Sequence, residues 1–321
     1  MNYVFYDLET TGRISNWDQI IQIGAVLTNS SLEEIDRFEL RCKLNSGVLP
    51  YPKALLVNNT SIDTLEKTNL THYGLIKNII KKFKEWGPSI FIGYNSISFD
   101  EEFLRNSFFK NLFDPYFTIS NSNKRSDLLN IVRGSSLYYP DLLKTRINDR
   151  GNPVFKLDQI APLNIKEKFN AHDAMGDTLA TLEVAKIIKK NKSAFWEQSL
   201  QSSSKIEATE LITKNNAFCS FETIFGKIKP FILSLIGFHP KYKWALCFDL
   251  KNNPKELVNL SDKELKLAIS SSPKIIRTIK TNKSPMILDV SYLQNISESY
   301  NFDESLLIKN AHFINSNNVL K

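Results

Sequence analysis

The chain has 321 residues, 42% of them hydrophobic and 23% charged, which is ordinary for a globular protein of about two domains. No apolar run approaches the roughly 20 residues needed to cross a bilayer, and no basic-then-apolar leader opens the chain, so a cytoplasmic protein with no membrane partner is expected. Cys42, Cys219 and Cys247 are odd in number and far apart, which excludes a disulfide framework or a paired-cysteine zinc site.

The formal net charge is +7 and is unevenly spread: residues 1–190 carry 24 Lys+Arg against 22 Asp+Glu, and residues 191–321 carry 17 against 12. That balance permits a polyanionic partner without requiring one.

Val4 to Gly12 reads VFYDLETTG. This apolar run predicts a buried strand, and Asp7 and Glu9, at i and i+2, project from the same face of its end. Like charges so close disfavour each other's ionisation unless a cation holds them. A hard divalent metal, magnesium first, meets that need. Two solvated acids at a strand end are the bland alternative.

QIIQIGAVLT and RFELRCKL predict two further strands. Tyr73–Trp86 reads as an amphipathic helix, with Leu75, Ile76, Ile79, Ile80, Phe83 and Trp86 on one face and Gly87-Pro88 ending it. SIFIGYN is a short buried strand, and FDEEFLRNSFFKNL a helix with Asp100 at the joint. Helices follow around Ser126–Arg133 and Asp173–Lys190. The lysines of 189–192 and the polar QSSSK run mark an expected linker, residues 191–206.

Beyond the linker AFCSFETIFGKIKPFILSLIGF, KWALCFDL, KIIRTIKT and PMILDV are strand-like, and Ser261 with Glu264 forms a capping box ahead of LKLAI. The fold class is therefore α/β with a mixed sheet, followed by a small, mostly β domain, most simply a barrel.

Asp177 lies near the start of the long helix, His172 in the loop ahead of it, and Asp173 is a natural N-cap. Taken singly, an acid at a strand end is usually a turn or cap residue, and a lone histidine is usually a satisfied surface or core group. Taken together they fit phosphodiester hydrolysis, in which four carboxylates hold two divalent ions and a histidine of near-neutral pKa takes the proton of the attacking water.

DLETTG, GYNSISFD and AHDAMGDTLAT resemble the three motifs of the histidine-bearing DEDD 3′–5′ exonucleases, whose domain is RNase H-like. FDEEFLRNSFFKNLFDPY, SDLLNIVR and NAHDAMGDTLATLEVAKII resemble bacterial exonuclease I more closely, through essentially all of residues 1–190. The resemblance implies a DEDDh exonuclease domain over 1–190 and an SH3-like domain over 207–321. It implies metal ligands at Asp7, Glu9, Asp100 and Asp177, a general base at His172, and two Mg²⁺ ions with Mn²⁺ able to substitute. It further implies substrate contacts at Glu9, Thr10, Arg105, Tyr116, Arg133 and Asn170, with Lys156 where the family has a phosphate-binding arginine. Lysine keeps that charge but loses the bidentate fork.

The resemblance also implies single-stranded DNA as substrate, 5′-mononucleotides as product, a role in DNA repair or recombination, the acidic tail of single-strand DNA-binding protein as a partner, and a monomer. The family continues into a third, helical region near where Lys321 falls, so weaker processivity is expected. Two other readings fit the first motif set: an RNA-trimming or proofreading 3′–5′ exonuclease, and a non-catalytic single-strand-binding module.

Overall fold

The computed structural model describes residues 1–167, 169 and 172–317. They form two compact units, one within residues 1–129, 144–146 and 154–191, the other within residues 130–143, 147–153 and 192–321.

The first unit is built on a mixed sheet of β1 (Asn2–Thr10), β2 (Ile20–Thr28), β3 (Glu34–Arg41), β4 (Ser89–Gly93) and β5 (Lys124–Asp127), in the order β3-β2-β1-β4-β5. β1 pairs antiparallel with β2 and parallel with β4, so the motif strand is central. Every residue of β2 and β4 is buried, as the apolar runs require of strands covered on both faces.

The short helices α1 (Pro52–Val57) and α2 (Ile62–Glu66) precede α3 (His72–Trp86). The Thr71 hydroxyl caps α3 by accepting the Gly74 N–H at 3.0 Å. Its apolar stripe, Leu75, Ile76, Ile79, Ile80, Phe83 and Trp86, packs with Val4, Tyr6, Phe91 and Phe103 in one core. α4 (Asp100–Lys110) starts just after β4, and α5 (Leu128–Tyr138) directly follows β5. A two-residue ribbon, β6 (Arg146–Ile147) with β7 (Pro153–Val154), leads to α6 (Leu157–Asn164) and α7 (Ala174–Asn191).

Residues 191–206, expected as a linker, instead hold α8 (Ser193–Leu200) and the start of α9 (Lys205–Lys214). Phe195 and Trp196 are fully buried there. The serines there are satisfied: Ser202 and Ser203 are buried and donate to the carbonyls of Pro285 and Leu200, and the half-buried Ser204 caps α9 by accepting the Glu207 N–H at 3.2 Å. The expected boundary also misses that the end of α5 joins the second unit, where Tyr138 packs against Phe195 and Tyr292.

The second unit carries an antiparallel sheet of β8 (Phe218–Ile224), β9 (Lys227–Phe238), β10 (Ala245–Asp249) and β11 (Ile276–Ile279), in the order β11-β10-β9-β8. It curls as a half-barrel over Phe218, Phe231, Leu233, Ala245, Cys247 and Ile279, with Ala208 and Ile212 of α9 closing the core. PMILDV does not form a strand: only Leu288 bridges, to Cys219, while Ser220 takes the Met286 carbonyl. α10 (Lys255–Val258), α11 (Asp262–Ser270) and α12 (Glu304–Ser316) complete the unit, and Glu264 closes the α11 capping box on the Ser261 N–H at 2.9 Å. Sequence reading had α11 alone.

Phe83 is fully buried, its ring 4.8 Å from that of Phe91. Phe83→Ala should cost about 3–5 kcal/mol and lower the urea midpoint accordingly; an unchanged midpoint would contradict this account of the core.

Candidate active site

Asp7 and Glu9 stand at the end of β1, opposite Gly24 and Gln22 of β2. A side chain at Gly24 would meet the backbone of Ala174 and Met175 at 2.5 Å, so α7 crosses the sheet in contact with the strand itself. The Thr178 hydroxyl secures the crossing through the Gly24 carbonyl at 2.9 Å. One turn into α7, Asp177 then lies beside the strand pair: carboxylate oxygens of Asp7, Glu9 and Asp177 come within 4.8 Å of one another.

Asp173 caps α7, accepting the Gly176 N–H at 3.2 Å, as expected. Gln22 also donates to it, at 2.8 Å. His172 sits in the turn before the helix with a left-handed φ of 61°, and its backbone N–H donates to Asp177 Oδ2 at 3.3 Å.

Asp100 begins α4, 3% exposed, and accepts the backbone N–H of Leu8, the residue between the two β1 acids, at 3.1 Å. Its neighbour Glu101 anchors the helix start. Tyr6 and Thr118 each donate to Glu101 at 2.8 Å, and Arg125 at 2.6 Å, in a buried network joining β1, α4 and β5. Asp127, ending β5, accepts the N–H groups of Asn95 and Ile97 and so shapes the loop between β4 and α4.

The electrostatics follow from this crowding. Asp7 is pushed well above the usual carboxylate range, by burial first and then by Asp100, Asp177 and Glu9. Glu9 is pushed up to about 8 by burial, Asp177 and Asp100, against a smaller pull from Arg41. Burial also raises Asp100, opposed by its own N–H and that of Leu8. Asp177 rises to about 6 through burial, with His172 pulling it down. The protein alone therefore resists full ionisation of the cluster at neutral pH. Its donors are all hard carboxylate oxygens, which fits Mg²⁺ or Mn²⁺.

The remaining sequence-derived positions are distributed as follows. Arg105, on α4, lies 5.2 Å from the ring of Tyr116, itself 53% exposed, and bonds Glu102 at 3.1 Å. Thr10 is buried, its hydroxyl donating to the Gly12 carbonyl and its own carbonyl accepting from Asn58. A cleft of about 690 Å³ opens beside Glu9 and Thr10, bordered by Arg13, Tyr51, Lys53 and Asn58. Lys156 is exposed at the start of α6. Arg133 lies on α5, within the second unit. Asn170 lies outside the described residues.

Sequence reading missed Gly24, Glu101 and Asp127. Only Gly24 carried a signal, as a glycine in mid-strand.

A family profile described as exonuclease matches residues 4–185, more than half of the chain. The chain belongs to the exonuclease family. Among curated relatives, exodeoxyribonuclease I of Buchnera aphidicola subsp. Schizaphis graminum is 33% identical over 214 residues, 66% of this chain and 44% of its own length. That of Escherichia coli K12 is 33% identical over 189 residues, 58% of this chain and 40% of its own length. The chain thus spans about half the length of curated relatives it matches. A DNA polymerase III of PolC type from Clostridium perfringens is 31% identical over 187 residues, 57% of this chain and 11% of its own length.

E. coli exonuclease I in complex with a dA16 oligonucleotide superposes with a TM-score of 0.83 at 22% identity, covering 99% of this chain and 71% of that one. The exonuclease I of Methylocaldum szegediense gives 0.82 at 23%, with the same coverage. The fold of this family member is thus that of exonuclease I, an RNase H-like sheet unit with an SH3-like half-barrel unit. Among the described residues no helix is long and apolar enough to cross a membrane.

Because Glu9 and Asp177 bind protons more tightly folded than unfolded, the folded chain retains protons that the unfolded chain releases between the ordinary carboxylate pKa and about 8. Their contribution is fully present below pH 4 and is lost as pH rises through that window. Thermal melts in chelator should show Glu9→Gln flattening the decline of Tm towards pH 8; parallel profiles for the two proteins would contradict the crowding account.

Proposed function

We propose that this family member is a magnesium-dependent 3′–5′ exonuclease that releases 5′-mononucleotides from single-stranded DNA. The observation that carries the reading is the convergence of Asp7, Glu9 and Asp177 within 4.8 Å, with Asp100 tied to the same strand through Leu8. Relatives named exodeoxyribonuclease I and the E. coli enzyme crystallised with dA16 and dT13 support the substrate class. One structure of that enzyme is a zinc-bound form, which supports a divalent cation at such a site.

Asp7, Glu9, Asp100 and Asp177 would hold two Mg²⁺ ions, with Mn²⁺ as a substitute. When bound, the ions supply positive charge at the scissile phosphate and acidify the attacking water. His172 takes the proton of that water as its oxygen bonds to phosphorus and the P–O3′ bond breaks. The leaving O3′ of the shortened strand is protonated from solvent.

Thr10 borders the cleft that takes the terminal nucleotide. Arg105, Lys156 and Arg133 neutralise phosphates, Tyr116 offers a stacking face, and Asn170 completes the contacts. Residues 1–190 serve as the exonuclease domain and 207–321 as an accessory domain. The acidic C-terminal tail of single-strand DNA-binding protein is the proposed partner of a monomeric, cytoplasmic repair enzyme.

Partners of metal ligands alone are worth 10–100-fold. Asp7→Asn should therefore slow release of mononucleotides from a 5′-labelled single strand by at least about 100-fold; wild-type rates would sink the metal reading. Gly24→Ala should cost about 100-fold by displacing α7 and Asp177, since a 1 Å misplacement has that effect, with the far-ultraviolet circular dichroism spectrum unchanged. The PolC likeness favours a second reading, a proofreading exonuclease. Comparing a frayed primer terminus with a free single strand separates the two, and a strong preference for the primer would favour the second.

A further inference from the structure

Trp17 is 81% exposed, in the loop that joins the cleft to β2. The bland reading is a solvated loop tip, but the loop is held at every step. Asp18 accepts the Ile14 N–H at 2.7 Å and the Thr11 hydroxyl at 3.3 Å. The Trp17 and Asp18 N–H groups both close on the Ile14 carbonyl. Asn106 donates to the Ser15 hydroxyl at 2.8 Å, and Lys110 to the Asn16 carbonyl at 2.6 Å.

These last two bonds lay the loop along α4. Asn106 is next to Arg105, whose guanidinium lies over Tyr116. The other end of the loop, Gly12 and Arg13, borders the cleft beside Glu9. Among the described residues no ring or cation stacks on the Trp17 indole. A large apolar face is thus held in water on a loop that borders the cleft at one end and is bonded to the helix of the basic-aromatic pair.

The geometry points to Trp17 as a base-stacking station for single-stranded DNA, engaging a nucleotide upstream of the scissile phosphate. Any base offers a π-face, so such a contact adds affinity without sequence preference. The rigid loop lowers the entropy lost on stacking. The inference rests on the exonuclease reading above and deepens it.

The chain has four tryptophans, of which Trp86 and Trp196 are buried. In an Asp7→Asn, Trp244→Phe double variant, Trp17 is the one indole left exposed. Titration with an oligothymidylate of about eight nucleotides should quench its fluorescence. Adding Trp17→Ala to Asp7→Asn should weaken binding of the same oligomer roughly 5- to 100-fold, at an unchanged Tm, and Trp17→Phe should restore most of it.

Tight binding of the oligomer with no quenching, or with equal affinity in Trp17→Ala, would overturn the stacking station while leaving the exonuclease reading intact. No binding of the oligomer by Asp7→Asn together with no degradation of it by the unaltered chain in magnesium would overturn both.

Discussion

Four carboxylates gathered around the end of one central strand are the constraint on which the first unit depends. Burial raises the proton affinity of all four, and the charges of their fellow members raise that of Asp7 and Glu9 further, so the arrangement works against the stability of the chain that carries it. A site of this kind persists only where the surrounding structure over-determines it. The four acids are accordingly held from three elements: two by the pairing of β1, one by the N-terminal turn of α7, and one by the start of α4.

Two devices make that convergence possible, and neither is itself acidic chemistry of the site. Gly24 removes the one side chain that would keep α7 away from the sheet, and Thr178 fastens the helix to the strand carbonyl so exposed. On the opposite side, Arg125 and Glu101 form an ion pair 4% and 3% exposed, with Tyr6 and Thr118 completing the carboxylate's hydrogen bonds. A fully satisfied buried network is rigid, and losing one partner would leave a charge stranded in a dry interior. The start of α4 is thus pinned, and Asp100 with it.

On the proposed reading, reach along a single strand belongs to groups nearer the surface than the carboxylates. Arg105 and Tyr116 meet through a cation–ring contact at the surface, and the loop carrying Trp17 is bonded to the same helix. The carboxylates at the strand end and the groups proposed to grip the strand along α4 therefore share one scaffold. Sequence-independent binding needs only charge and π-faces placed along a track, and α4 with its two flanking loops carries groups of both kinds.

The sequence by itself determined the parts whose signals are local. Alternation and apolar runs marked β1, β2 and β4; helical spacing marked α3; the i, i+2 acids marked the face of β1 on which carboxylates gather; and Asp173 announced the start of α7. Tertiary structure alone decided what depends on residues distant in the chain. It showed that Gly24 is a contact surface, that Glu101 and Asp127 hold the loop and helix start beside the site, that Ser202 and Ser203 are buried between α8 and α9 and Ser204 caps α9, and that the end of α5 packs with the second unit. The physical reason is the same in each case. A glycine, a glutamate or a serine looks alike in sequence whether it faces water or a neighbour, and only packing between elements far apart in the chain supplies the partner that gives it a role.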